Sequence, residues 1–247
     1  MKIISVPSPN FSSGRKGYHP EAIVIHIMEG TLPGTDSWFR NPQSSVSAHY
    51  GVGAGGEVHQ YVQETDTAWH AGRVHAPTWT AIKPSGTGSY VNPNNYTIGI
   101  EHEGNEQSEW NDAMYNATSE LIADISKRWN ISLDRSHIIG HHEIYSIKTC
   151  PGFKVDLQKL VDLSRLKAGY VAPSAIVNVP GIAVTTTALN LRKGGASASA
   201  PLVRTVNKGT SLNFTGYVEN GERIKNIARW YQTAEGFWFW GGGVRIL

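Results

Sequence analysis

The chain has 247 residues, 40% of them apolar and 17% charged, with a formal net charge of +2. That is enough apolar material to bury a core, and it excludes a disordered chain. A single cysteine excludes an internal disulfide framework, and no apolar run reaches the length that crosses a bilayer.

The charge is uneven. Residues 171–247 carry eight Lys/Arg against three Asp/Glu, and the remainder fourteen against seventeen. A basic C-terminal module facing an anionic polymer is one reading; an ordinary solvated surface is the other. The start, MKIISVPSPNF, lacks a long apolar segment and a small-residue cleavage site, so synthesis in the cytoplasm without a secretion signal is expected.

Residues 3–20 are broken by Pro7, Pro9, Gly14, Gly17 and Pro20 and read as an irregular lead-in. Ala22 to Ile27 is continuous, branched and apolar except for His26, which predicts a central strand buried on both faces. A histidine there needs a hydrogen-bond partner or a metal. Gly30 to Gly34 reads as a loop and Thr35 to Asn41 as a short helix stopped by Pro42. Ser47 to Val52 and Glu57 to Val62 read as a hairpin carrying His49 and His59, followed by Trp69 and His70. Arg73 to Asn95 is long and without periodicity, which marks a functional loop.

Thr97 to His102 is the next expected strand, with Ile98, Ile100 and His102 on one face and Glu101 on the other. A carboxylate on an interior strand is costly unless paired or used, so Glu101 is a site candidate. Ser108 to Trp129 repeats Trp110, Met114, Leu121, Ile125 and Trp129 at intervals that predict a helix with Ser108 as N-cap and a core-facing stripe. Ser136 to Gly140 predicts a short strand and Asp156 to Leu166 a closing helix. Alternating strands and helices make the class α/β with a mixed central β-sheet. Residues 169–183 suit a linker, and from Val184 short Thr/Val/Phe/Trp-rich segments predict a small all-β barrel.

The chemistry concentrates in Gly140 to Phe153, GHHEIYSIKTCPGF. A lone cysteine is ordinarily a small buried hydrophobe, but Cys150 precedes Pro151–Gly152 and follows His141. Zinc takes imidazole and thiolate ligands in a tetrahedral shell, and a catalytic site leaves one position open to water. His26, His141 and Cys150 satisfy that requirement, Glu101 can move the proton of such a water, and Lys148 can stabilise charge on a carbonyl oxygen.

Six segments, VPSPNF, IVIHIMEG, VSAHYGV with GEVHQYV, WHAG, NYTIGIEHEG and IIGHHEIYSIKTCPGF, stand in the order found in one family. From about Val6 to Phe153 the chain resembles the zinc-dependent N-acetylmuramoyl-L-alanine amidases of the amidase-2 / peptidoglycan recognition protein superfamily. The resemblance implies a mixed sheet flanked by helices, and one zinc ion held by His26, His141 and Cys150. It implies Glu101 as catalytic glutamate, Lys148 as the basic residue lining the site, and His49, Trp69 and His70 as groove residues. His142 falls where the family varies. A branch that uses a tyrosine has Ala48 at that position here, which favours the glutamate.

The implied reaction is hydrolysis of the amide between the muramic acid lactyl group and L-Ala. The rival is a recognition protein that holds peptidoglycan without cutting it. The C-terminal stretch, with Leu189, Asn190, Leu191, Arg192 and Gly194 and the Trp238-Phe239-Trp240 run, resembles bacterial SH3-like wall-binding modules. The run is either an aromatic ligand patch or barrel core. The resulting expectation is an amidase domain over 1–168, a linker over 169–183 and an SH3-like domain over 184–247. The protein is expected to be an endolysin-like monomer acting on the cell wall, with neither a nucleic-acid partner nor membrane insertion.

Overall fold

The computed structural model describes residues 1–86, 88–169, 176–198 and 200–247. They form two compact units, Met1–Ser164 and Arg165–Leu247. The first contains β1 (Ile3–Ser5), β2 (Phe11–Ser12), β3 (Ala22–Ile25), α1 (Leu32–Arg40), β4 (Tyr50–Val52), β5 (Val58–Gln60), β6 (Thr67–Ala68), β7 (Thr97–His102), α2 (Asp112–Trp129), β8 (Ile138–Gly140) and the start of α3 (Leu157–Lys167).

Six strands make one mixed sheet in the order β1-β5-β4-β7-β3-β8. The β4–β5 hairpin is antiparallel, and β4, β7, β3 and β8 run parallel, with β7 and β3 inside the sheet and β8 at its edge. Ile23, Ile25, Ile98, Ile100 and Ile138 are all fully buried, each stabilising the sheet by roughly 1.5–3 kcal/mol. The other face buries Ala22, Val24, Ile139 and Ile144 against Trp79 and Tyr96. Trp79 comes from the long aperiodic segment, which therefore roofs part of the core and is pinned by Trp79 Nε1 donating to Ser136 O at 2.8 Å.

Helix boundaries depart from expectation for identifiable reasons. Helix α1 begins at Leu32, inside the expected loop, because Thr31 accepts from Gly34 N–H and Pro33 falls in the first turn, where a missing N–H costs nothing. Helix α2 begins at Asp112, not Ser108: Asn111 is the cap, accepting from Met114 N–H at 2.9 Å. Ser108 instead closes a local turn onto Asn105. Met114, Leu121 and Ile125 are buried as expected, while Trp110 precedes the helix and stacks on His102 at 4.0 Å between ring centres.

The second unit is all-β. Strands β9 (Gly181–Thr185), β10 (Leu189–Lys193), β11 (Leu202–Val206), β12 (Ser211–Phe214), β13 (Gly216–Val218), β14 (Trp230–Gln232), β15 (Phe237–Trp240) and β16 (Val244–Ile246) form sheets ordered β11-β10-β15-β14-β13 and β12-β9-β16. The expected linker lies partly at 170–175, outside the described residues, and its end is corrected: Gly181 to Ala183 already pair in register with β12. The aromatic run is likewise core. Trp238 and Phe239 are 3% and 0% exposed, packed with Trp230, Tyr231 and Leu191 in two adjoining clusters. Trp240 is half-buried, its indole N–H donating to Ile227 O.

Candidate metal centre and cleft

Register places the chemistry. Ile25 faces Ile100 on one neighbour and Gly140 on the other. One step further along the chain, His26 stands beside Glu101 and His141, as its N–H donating to Ile100 O at 2.9 Å confirms. Residues that face each other across a ladder share a sheet face. The row His141, His26, Glu101 therefore crosses the carboxyl ends of three parallel strands, where open α/β sheets commonly bind ligands.

Cys150 reaches this row from the loop after β8. Its Sγ lies 3.8 Å from His26 Nδ1, and the His26 and His141 ring centres are 4.6 Å apart. One donor atom from each of His26, His141 and Cys150 falls within 4.8 Å of the others. A tetrahedral zinc ion separates such donors by roughly 3.3–3.8 Å, so side-chain shifts of about an ångström would close the set. His142, the adjacent histidine, points elsewhere: its Nδ1 donates to Cys150 O at 3.0 Å.

A hydrogen-bond chain sets the tautomer of His26. Thr97 Oγ1 donates to Pro93 O at 2.8 Å, so it can only accept from His70 Nε2, 3.4 Å away. That leaves His70 Nδ1 as an acceptor for the N–H of His26 Nε2, at 3.0 Å. The lone pair of His26 Nδ1 is left facing Cys150 and the centre of the donor set, as an outer partner should leave it. Close approach permits this chain: a Cβ at Gly99 would stand 2.5 Å from the His70 ring.

Protonation states agree with metal binding. Burial, then the charges of His141 and His70, hold His26 well below the usual histidine range. Burial and then Lys148 bring His141 down to about 4. Both imidazoles are neutral at pH 7. Burial, with a contribution from Glu101, holds the Cys150 thiol above its ordinary range, which a divalent cation in contact would reverse. Burial also pushes Glu101 up to about 8, and its Oε2 is buried without a hydrogen-bond partner among the described residues. Two neutral imidazoles, one thiol and an orphaned carboxylate oxygen fit a zinc ion with an open position.

The row floors a cleft of about 530 Å³ whose walls include Trp38, Trp69, Glu29, Glu106 and Lys148. A second arm of about 640 Å³ shares Trp69, His70, His141 and Lys148 and adds Arg73 and Ile147. Trp69, His70 and Lys148, expected in the groove, thus face it. His49 does not: it is 0% exposed, lines neither arm, and accepts from Gly99 N–H at 3.0 Å. Its other nitrogen lies 2.8 Å from Arg15 Nη2.

Arg15 was invisible in the sequence. It is 5% exposed and donates to the carbonyls of Glu64, Asn94, Asn95 and Thr97, and burial lowers it to about 10. Its partners lie 49 to 82 residues away, so no local pattern announces it. Trp38, 54% exposed beside the cleft, likewise has no signal in the sequence, because a single tryptophan on a short expected helix does not show which way it faces.

The family model described as N-acetylmuramoyl-L-alanine amidase (Amidase_2) matches residues 16–153. N-acetylmuramoyl-L-alanine amidase A of Achromobacter lyticus is 35% identical over 128 residues, 51% of this chain and 60% of its own length. The chain thus spans less than two thirds of that relative. The 1,6-anhydro-N-acetylmuramyl-L-alanine amidase AmpD of Haemophilus influenzae is 34% identical over 165 residues, 66% of this chain and 76% of its own length. Among solved structures, an AmpD derivative superposes with a TM-score of 0.52 at 26% identity, covering 65% of this chain and 93% of that one. With a family match across more than half its length and a 34% identical relative covered over 76%, the chain belongs to the Amidase_2 family of N-acetylmuramoyl-L-alanine amidases.

Proposed function

We propose that the protein is a zinc-dependent N-acetylmuramoyl-L-alanine amidase that cleaves the amide between the lactyl group of muramic acid and L-Ala in peptidoglycan. The observation that carries this reading is the convergence of one donor atom each from His26, His141 and Cys150 within 4.8 Å. Beside them Glu101 presents a buried oxygen that no described group satisfies. Family membership supplies the bond to be cut.

His26, His141 and Cys150 would hold the ion. Zinc, when bound, supplies Lewis-acid polarisation of a carbonyl and a water acidified to a pKa of about 7. Glu101 takes the proton of the attacking water and returns it to the departing amine. Its raised pKa in the metal-free site falls when a cation stands nearby, which restores the carboxylate needed for that first transfer. Lys148, on the cleft wall, donates to the scissile carbonyl oxygen as negative charge grows there. Trp69 bounds both arms of the cleft and confines the substrate on either side of the reacting bond.

The decisive assay is purified peptidoglycan with the native, chelated and zinc-restored protein. New N-terminal alanine without new reducing ends, lost with chelator and restored by zinc, is the expected result. Wall that is bound but yields no amine, with zinc fully loaded, would identify a non-catalytic recognition protein instead.

The reading extends to the second unit. It is an SH3-like wall-binding module, over roughly 181–247, that tethers the amidase domain of 1–168 to its substrate, as in an endolysin acting as a monomer. Its excess of basic residues supports attraction to the anionic wall. Truncation after residue 168 is expected to leave hydrolysis of soluble muropeptides intact while abolishing sedimentation with cell walls. Sedimentation equal to that of the full chain would remove the module's assigned role.

A further inference from the structure

Between the two ligand positions His141 and Cys150 the chain makes an exposed excursion. Ser146, Ile147 and Lys148 lie on the surface, Ile147 at 65% exposure. Such a segment does not by itself hold a sulfur to the tolerance that a metal shell demands. Two devices at its base do. Ile27 N–H donates to Cys150 Sγ at 3.2 Å, which orients the sulfur. His142 donates twice to the Cys150 carbonyl oxygen, from its backbone N–H at 3.0 Å and from Nδ1 at 3.0 Å.

A carbonyl oxygen can only accept, so the proton of His142 must sit on Nδ1. The ring lies over Gly140, where a Cβ would come within 2.5 Å of His142 Cε1 and 2.9 Å of Pro151 Cδ. His142 and Pro151 thus both rest on the bare backbone of the residue that precedes His141. Glu143 secures the same turn by accepting from Gly140 N–H at 2.7 Å and from Arg135.

We propose that His142 is a positioning residue for the metal centre, a clasp that closes the 141–150 excursion and sets where the Cys150 sulfur stands relative to His26 and His141. The pair of adjacent histidines thereby divides its labour: His141 faces the centre and His142 builds the loop that delivers the third donor. The inference rests on Cys150 being a metal ligand, as proposed above.

The test is zinc affinity by competition with a chromophoric chelator, together with the thiolate charge-transfer absorption of the cobalt-substituted protein. Each variant is measured well below its own metal-free melting transition. His142→Ala is expected to bind zinc about 10–100-fold more weakly, the range of an outer-shell partner, and to shift or weaken the cobalt–thiolate band. His142→Asn, whose amide N–H can occupy the place of Nδ1, is expected to stay within about threefold of the wild type. Affinity and absorption unchanged in His142→Ala overturn the proposal. Equal losses in both variants overturn it too, since ring bulk rather than the donated hydrogen bond would then be what matters. A wild-type protein that shows no thiolate band with cobalt removes Cys150 from the shell and the proposal with it.

Discussion

Glu101→Gln is expected to lower amide hydrolysis by about 10²–10⁴-fold while zinc content and affinity remain those of the wild type. The substitution keeps the shape and burial of the side chain and removes only its capacity to take a proton. A rate within tenfold of the wild type at saturating substrate would assign the proton transfer elsewhere.

The same variant carries a second signature in metal-free protein. The folded-state pKa of Glu101, about 8, lies above the ordinary value of 4.5. The favourable contribution of its protonated form is therefore complete below pH 4.5 and lost as pH rises through about 8. In the metal-free state Glu101→Gln should escape that loss. It is expected to be more stable than wild type above pH 8 by on the order of 5 kcal/mol, with the gap closing towards pH 4.5. Urea unfolding of both chelated proteins at pH 5 and pH 8.5 measures it, and parallel pH profiles would sink the claim that burial of this carboxylate is uncompensated.

Cys150→Ser is expected to weaken zinc binding by more than about a hundredfold, beyond the 10–100-fold range of outer-shell partners, and to lower activity at limiting zinc in proportion. A hydroxyl does not ionise near neutral pH, whereas the thiol does once a cation offsets the burial that now holds it protonated. Zinc uptake by the wild type should accordingly release a proton and tighten as pH rises. In Cys150→Ser the thiol's share of that pH dependence should disappear, leaving only the share of Glu101, whose raised pKa also falls when a cation binds. Chelator competition across pH 6 to 8.5 reads both quantities. An unchanged affinity in the serine variant would remove Cys150 from the metal shell, and it would leave the wall assay described above as the only support for a metal mechanism.

The two expectations divide the site's work between groups the fold treats differently. Glu101 sits inside a strand with its backbone locked by β3 and β4, so a change there leaves the ligands in place. Cys150 sits on a loop held by Ile27 N–H and the His142 clasp, so a change there is felt first as metal affinity.

Much of the catalytic unit was legible in the chain because the relevant energies are local. The run Ala22 to Ile27 announces a strand by its branched apolar residues, and Thr97–His102 forms over the expected residues. The repeat of Met114, Leu121 and Ile125 announces a buried helical face, and the residue types of His26, Glu101, His141 and Cys150 state which chemistry is affordable. Helix starts are less legible: Asn111 competes with Ser108 for capping by a margin of about 1 kcal/mol, and Thr31 caps a helix that begins three residues before Thr35.

What only the tertiary structure decided is who meets whom. Strand register puts His26, Glu101 and His141 in one row, and a slip of one residue would have turned any of them to the opposite face. The turn after β8 aims His141 at the centre and His142 at a carbonyl, a choice between identical side chains that composition cannot make. His49 was drawn into the interior by the Gly99 N–H and the Asp66 carbonyl oxygen, and Trp238 and Phe239 into the core of the second unit rather than onto its surface. Most of the deciding contacts join residues far apart in the chain, as His49 and Gly99 are, while His142 and Cys150 are eight residues apart; in every case the free energy of the contact exists only after the chain between has folded.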